Sequence, residues 1–201
     1  DWVSVERIKI MQLYGANVKL VSKEEGGFQK CIELARNFAQ DNNGFLTNQF
    51  INIDNINAHY ESTGKEIIDK IKVDAFISGI GTGGTLMGIS KRLKEENINT
   101  MIYALEPSTM SLLKNNTIGS HKIEGIGDDF IPSLVDKKMI DKIIDINDED
   151  AINMSRLLAK KFGLGVGIND ALSCGAKVVL IPVFKAREFD KLIKKHNPSI
   201  L

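Results

Sequence analysis

The chain has 201 residues, with 26 Lys+Arg balanced by 26 Asp+Glu, 43 % hydrophobic and 26 % charged residues. That composition is globular and excludes disordered and collagen-like chains, and the zero net charge argues against nucleic-acid or anionic-membrane binding. No apolar run reaches the roughly 18 residues of a membrane span. Cys31 and Cys174, the only two cysteines, give neither a disulfide framework nor metal-ligand spacing and point to a reducing, cytoplasmic setting.

In chain order, Val5 to Tyr14 carries apolar residues at helical spacing, with Gly15 after the last turn as a stop. Val18–Val21 reads as a strand. A helix opens at Gly27 and runs through Phe28, Ile32, Ala35 and Phe38, placing Cys31 on a core face beside Leu34. Phe45–Phe50 reads as a second strand, and Ile67–Ile71 closes another amphipathic helix. Ala75–Ser78 is a buried strand, Leu86–Glu96 a helix, and Met101–Leu105 and Ile143–Ile146 two further strands. Asp148 then caps a helix through Ile152, Met154 and Leu158. Strands alternating with helices predict an α/β fold with a doubly wound, mostly parallel sheet.

The strongest local chemistry is Ser78-Gly79-Ile80-Gly81-Thr82-Gly83-Gly84-Thr85, between a strand and a helix. Glycines there permit positive φ and close approach of backbone to a ligand, and the helix N-terminus favours an anion. A ligand-free tight turn needs fewer glycines than this. Two ligands fit. Gly79, Gly81 and Gly84 satisfy the G-x-G-x-x-G of a dinucleotide fold, and Glu106 stands near the roughly 20-residue offset of a ribose-binding acid. Against it, at least two expected strands precede this one, and Glu106 is followed by Pro107, which lets the acid serve a turn. Thr82 and Thr85 add two hydroxyls, which suits a terminal phosphate monoester.

Gly81-Thr82-Gly83-Gly84-Thr85 resembles the phosphate loop of the cysteine synthase and cystathionine β-synthase family. The resemblance is collinear from about residue 3 to 168. Ser4-Val5-Glu6-Arg7 with Tyr14-Gly15-Ala16 is similar to S-x-E-R…G-A, and Asn48-Gln49-Phe50 to a Q-F segment. Asn52, Asn55 and His59, then Thr63-Gly64-Lys65-Glu66-Ile67, resemble N-P-x-N…H…T-G-x-E-I. Leu105-Glu106-Pro107 is similar to V-E-P, and His121 to Gly127 to H-K-I-x-G-I-G, followed by Phe130-Ile131-Pro132.

The resemblance implies a partial two-lobe enzyme of pyridoxal phosphate fold type II. Residues 1–50 would be a remnant of the small lobe and residues 51–168 the large cofactor-binding lobe. Gly81, Thr82, Gly83, Gly84 and Thr85 would bind the phosphate of pyridoxal phosphate. Gln49 and Phe50 would line the substrate carboxylate side, and Gly125 and Ile126 would flank the cofactor ring. The implied activity is β-elimination from a small amino acid (O-acetylserine, serine or cysteine), followed by addition of a thiol or sulfide, in an enzyme that is a homodimer when intact. Asp129 stands before Phe130 as in cystathionine β-synthases, where a carboxylate near Cβ would serve as acid or base for water or a hydroxyl leaving group; a solvated loop acid is the plain alternative. His59 and His121 are expected in structural roles, His59 as a local helix cap and His121 in a turn.

The family's lysine motif, S-x-K-D/E-R, does not occur; Ser22-Lys23 and Ser90-Lys91-Arg92 have the wrong spacing. A chain that opens on Asp1 reads as a piece of something longer, lacking roughly a hundred residues of a two-lobe enzyme, and is expected to be inactive alone. Residues 162–201 read differently. Phe162 to Pro182, with Phe184 and Phe189-Asp190-Lys191-Leu192-Ile193, resemble a segment of an adenylate-forming acyl-CoA ligase, which suggests a chimera joined across the shared string Phe162–Ile168. Three readings stay open: a piece of a β-replacement enzyme, a lysine-less module that binds phosphate ligands or a partner, and a nicotinamide dinucleotide dehydrogenase.

Overall fold

The computed structural model describes residues 5–165. The tail from 166 onward, including Gly167–Ala171 and Cys174, lies outside the described residues. The chain divides into two compact units at Asn48/Gln49. In the first, α1 spans Val5–Leu13 and α2 spans Gly27–Asp41. Neither Val18–Val21 nor the stretch 45–50 forms a strand, which corrects both expectations. A parallel strand is stable only when hydrogen-bonded to a neighbour, and the described residues of this unit supply none.

The second unit begins with α3 (Asp54–Ala58), a π-helix (His59–Gly64) and α4 (Lys65–Ile68), which run without a break. β1 (Ala75–Gly79), α5 (Gly84–Glu96), β2 (Met101–Pro107), β3 (Lys142–Ile146) and α6 (Asp148–Phe162) follow. The strands form a parallel sheet in the order β1-β2-β3, with Ala75 opposite Met101 and Tyr103 opposite Lys142. Five of the expected helices and strands from Ala75 onward therefore stand where the pattern placed them.

β2 is buried on both faces, as a strand between two layers must be. Ile102 and Ala104 pack with Phe76, Leu86, Ile89 and Leu93, so α5 covers one face. Leu105 packs with Ile123, Ile126 and Ala151 on the other. This puts Ile123 and Ile126 under the sheet end that carries the glycine loop. Among the described residues, no helix is long and apolar enough to cross a membrane.

Two devices hold this arrangement. Asp141 accepts from the backbone N–H of Ile102 at 2.7 Å and from Lys94 Nζ at 3.1 Å. The Ile102 amide, with help from Lys94 and against partial burial, holds this carboxyl below its ordinary range. Gly88 lets two helical segments meet: a Cβ there would stand 2.4 Å from Ile56 O and 2.8 Å from His59 Cβ.

The lowered carboxyl of Asp141 contributes stability above its ordinary pKa and loses it as pH falls through the folded value. Asp141→Asn should therefore cost about 1 kcal/mol at pH 7 and nothing at the acid limit, measured by urea unfolding across pH. Gly88→Ala should cost about 2 kcal/mol in the same assay despite the better helix propensity of Ala.

Candidate active site

The loop from Gly79 to Thr85 is built by packing demands that differ from one glycine to the next. A Cβ on Gly79 would meet Ile126 Cγ2 at 2.8 Å, and one on Gly81 would meet Gly125 O at 2.5 Å. Gly127 N donates to Ile80 O at 3.0 Å. The loop is thus bound, backbone to backbone, to the segment Gly125–Gly127. Gly83 has φ +87, the N-cap position of α5, and offers that helix no side-chain cap. Beyond Gly84 N, which reaches Thr82 Oγ1 at 3.2 Å, the first-turn amides of α5 are given no side-chain cap, which is how a helix start presents itself to an anion. Of the four loop glycines only Gly83 has positive φ; those of the dinucleotide fingerprint, Gly79, Gly81 and Gly84, answer to close packing instead.

Both threonine hydroxyls are oriented from the α3–π-helix segment. Asn55 Nδ2 donates to Thr82 Oγ1 at 2.9 Å and to Gln49 O at 2.8 Å. Thr82 Oγ1 also accepts from Gly84 N at 3.2 Å. An oxygen that accepts twice keeps its own proton to donate. Asn55 fits only because position 84 has no side chain: a Cβ there would lie 2.0 Å from Asn55 Oδ1. Thr85 Oγ1 lies 3.1 Å from His59 Nε2, and His59 Nδ1 lies 3.1 Å from Thr63 Oγ1. Burial pushes the His59 pKa down, so the ring is neutral. In the tautomer that carries its proton on Nε2, His59 donates to Thr85 Oγ1 and the Thr85 proton too is directed outward. His59 is the C-cap residue of α3, as expected, and also opens the π-helix, a feature common at functional sites.

The expected substrate-side residues come together in the same unit. The rings of Phe50 and Phe130 stack edge to face, centroids 5.1 Å apart at 66°. Ser133 Oγ donates to Phe50 O at 3.1 Å. Phe50 is thereby tied to the stretch that carries Asp129 and follows Gly125 and Ile126. Gln49 is exposed and contributes its carbonyl to Asn55, Ile126 is buried, and Gly125 and Asp129 are exposed. His121 sits in the expected turn. Its Nδ1 accepts from Ile123 N at 3.2 Å and its Nε2 lies 3.0 Å from Gly127 O.

Glu106 is 5 % exposed and accepts from Leu113 N at 2.9 Å, Lys114 N at 3.2 Å and Ser111 Oγ at 3.1 Å. It is engaged in closing the turn after β2. Asp145 joins this network through Ser111, Asn115 and Lys114. Partial burial works against ionisation there, but those hydrogen bonds, led by Lys114, hold the Asp145 carboxyl below its ordinary range. A ribose has no free carboxylate at Glu106 to bind, which removes the dehydrogenase alternative. Sequence reasoning had no role for Thr63 and gave His59 its cap but not its contact with Thr85; the four-residue spacing of Gly84 and Gly88 on one face of α5 was the available sign that a helix presses there.

The pyridoxal-phosphate dependent enzyme family profile matches residues 1–192. The chain belongs to that family. Its match extends well into the segment from 162, for which a ligase-like tail was the expectation. Cysteine synthase B of Campylobacter jejuni is 39 % identical over 187 residues, covering 90 % of this chain and 61 % of that protein. Among solved structures, a hydrogen sulfide-producing enzyme from Fusobacterium nucleatum is 42 % identical with a TM-score of 0.81, over 89 % of this chain and 55 % of that one. An O-acetylserine dependent cystathionine β-synthase from Helicobacter pylori is 35 % identical with a TM-score of 0.78, over 86 % and 57 %. The chain thus spans about 61 % of the length of the curated relative it matches. The fold is that of fold type II pyridoxal phosphate enzymes, and the family's cofactor is pyridoxal phosphate.

The uncapped α5 terminus and two outward-directed hydroxyls fit a phosphate monoester. Removing one orienting bond should loosen that grip: Asn55→Ala should weaken pyridoxal phosphate binding about tenfold in equilibrium titration, with the far-UV spectrum unchanged.

Proposed function

We propose that this chain provides the phosphate and substrate side of a pyridoxal phosphate-dependent β-replacement enzyme acting on a small amino acid with a leaving group on Cβ. The observation that carries the reading is the pair of threonine hydroxyls, Thr82 and Thr85, each oriented by its own partner at the start of an uncapped helix. When bound, pyridoxal phosphate supplies the electron sink that stabilises charge at the substrate Cα. The protein's part is to hold and orient. Backbone N–H groups of Gly81–Thr85 and the Thr82 and Thr85 hydroxyls grip the phosphate. Gly125 and Ile126 flank the ring, their position set by the contact with Gly81. Gln49 and Phe50 line the substrate carboxylate side.

Asp129 is the acid or base at Cβ. It is exposed, next to the Phe130 ring that fixes its segment against Phe50. A carboxylate there would accept a proton from water or a thiol, or give one to a departing hydroxyl. The relatives named above differ in the sulfur compound their names carry, so the shared chemistry is the β-replacement itself. The homodimer and the cytoplasmic setting belong to the same proposal.

No S-x-K-D/E-R string occurs in the 201 residues, and none of this chain's lysines is assigned the covalent link to the cofactor. Pyridoxal phosphate should therefore bind reversibly. After borohydride treatment and denaturation, peptide mass spectrometry should find no pyridoxyl-lysine, and pyridoxal without its phosphate should bind about a hundredfold more weakly. A single modified lysine in high yield, or equal affinity for the two compounds, would contradict this assignment.

A further inference from the structure

The proposed chemistry leaves Asp128 unused. The peptide before it is fixed at both ends, with Gly127 N on Ile80 O at 3.0 Å and Gly127 O beside His121 Nε2 at 3.0 Å. Gly127, at φ +71, turns the chain there, and a Cβ at this position would meet Pro107 at 2.7 Å. Asp128 consequently lines a cavity of about 20 Å³ with Ile80, Gly81, Glu106 and Phe130. That volume holds about one water. Among the described residues the Asp128 carboxyl accepts no hydrogen bond; its neighbours act on it only through burial and charge. Glu106, in the same wall, already has three donors.

We propose that Asp128 is a proton-operated control on the anion affinity of the Gly81–Thr85 loop. With its proton, Asp128 leaves the field of the α5 terminus to the anion; without it, a fixed negative charge stands beside the loop at Gly81. The proposal rests on the reading of that loop as a phosphate site. Burial, followed by the charge of Asp129, raises the Asp128 pKa, and His121 opposes the rise. Anion affinity is therefore full at acid pH and falls as pH rises through the raised value. The groups that face Asp128 are Asp129 and His121 on its own segment and Glu106 at the end of β2. His59, beside Thr85, faces the anion instead. A unit charge in a partly buried site of this kind changes the affinity for a dianion by about fivefold.

Sulfate is the probe, because it stays dianionic across the range in which phosphate itself titrates. The full chain, labelled for carboxyl carbon and backbone amides, is titrated by NMR with and without saturating sulfate. Binding is reciprocal, so a fivefold coupling raises the Asp128 midpoint by about 0.7 pH unit in sulfate. This readout follows the Asp128 carboxyl itself and is separate from any other charge that changes over the same pH range. In Asp128→Asn, sulfate affinity above the Asp128 midpoint should rise about fivefold over the parent chain and match it well below that midpoint. Sulfate that moves the Thr82–Leu86 amides while the Asp128 midpoint stays in place would overturn the proposal alone. Sulfate that moves none of those amides would overturn the phosphate site and the proposal with it.

Discussion

The backbone of Ile80–Gly81 lies directly against the backbone of Gly125–Gly127, and the placing of the site depends on that contact. Gly127 N reaches Ile80 O at 3.0 Å, and any side chain at Gly81 would meet the Gly125 carbonyl. The segment 125–127 cannot be set down from the helix layers alone, since it belongs to no helix or strand. It is held from below by Ile123 and Ile126 packing under β2, and from the side by the His121 ring. The loop that grips an anion and the segment that would flank a cofactor ring are therefore one packed object.

A second close approach sets the chemistry of the hydroxyls. Gly84 and Gly88 clear one face of α5, so that α3 and the π-helix lie against it with Asn55 and His59 at the loop. Asn55 uses one amide group to hold Thr82 and the Gln49 carbonyl together. His59, kept neutral by burial, passes hydrogen-bond direction from Thr63 to Thr85. The Thr82 proton, and with Nε2–H on His59 the Thr85 proton, are then turned outward by residues that need never touch the ligand. Such prior orientation is what makes a short glycine turn selective for a phosphate rather than merely permissive of one.

The second half of the fold was legible because its strands are short, β-branched or largely apolar runs set between helical stretches: Ala75–Gly79, Met101–Pro107 and Lys142–Ile146 needed only their own sequence to be found, although only the central one is buried on both faces. Val18–Val21 and Phe45–Phe50 have the same local pattern without a strand to pair with among the described residues, and pattern does not report a partner. The glycine loop was legible as an anion site that admitted two ligands, and the Thr82 and Thr85 hydroxyls with Pro107 after Glu106 favoured the phosphate monoester without excluding the dinucleotide. What separated them was tertiary: Glu106 turned out to be closing the 111–114 turn, and only Gly83 among the loop glycines needed positive φ. The cap role of His59 was legible, but its contact with Thr85, 26 residues on, was not, because sequence spacing does not report a tertiary partner.

The claim most exposed to test is that the loop selects a phosphate monoester through Thr82 and Thr85. Backbone amide signals of the full chain, titrated in parallel with pyridoxal phosphate and with a nicotinamide dinucleotide, report it directly. The account predicts saturable movement of the Thr82–Leu86 amides with pyridoxal phosphate, together with Gly125 and Ile126, and no saturable movement with the dinucleotide. Saturation by the dinucleotide at lower concentration than by pyridoxal phosphate would contradict it.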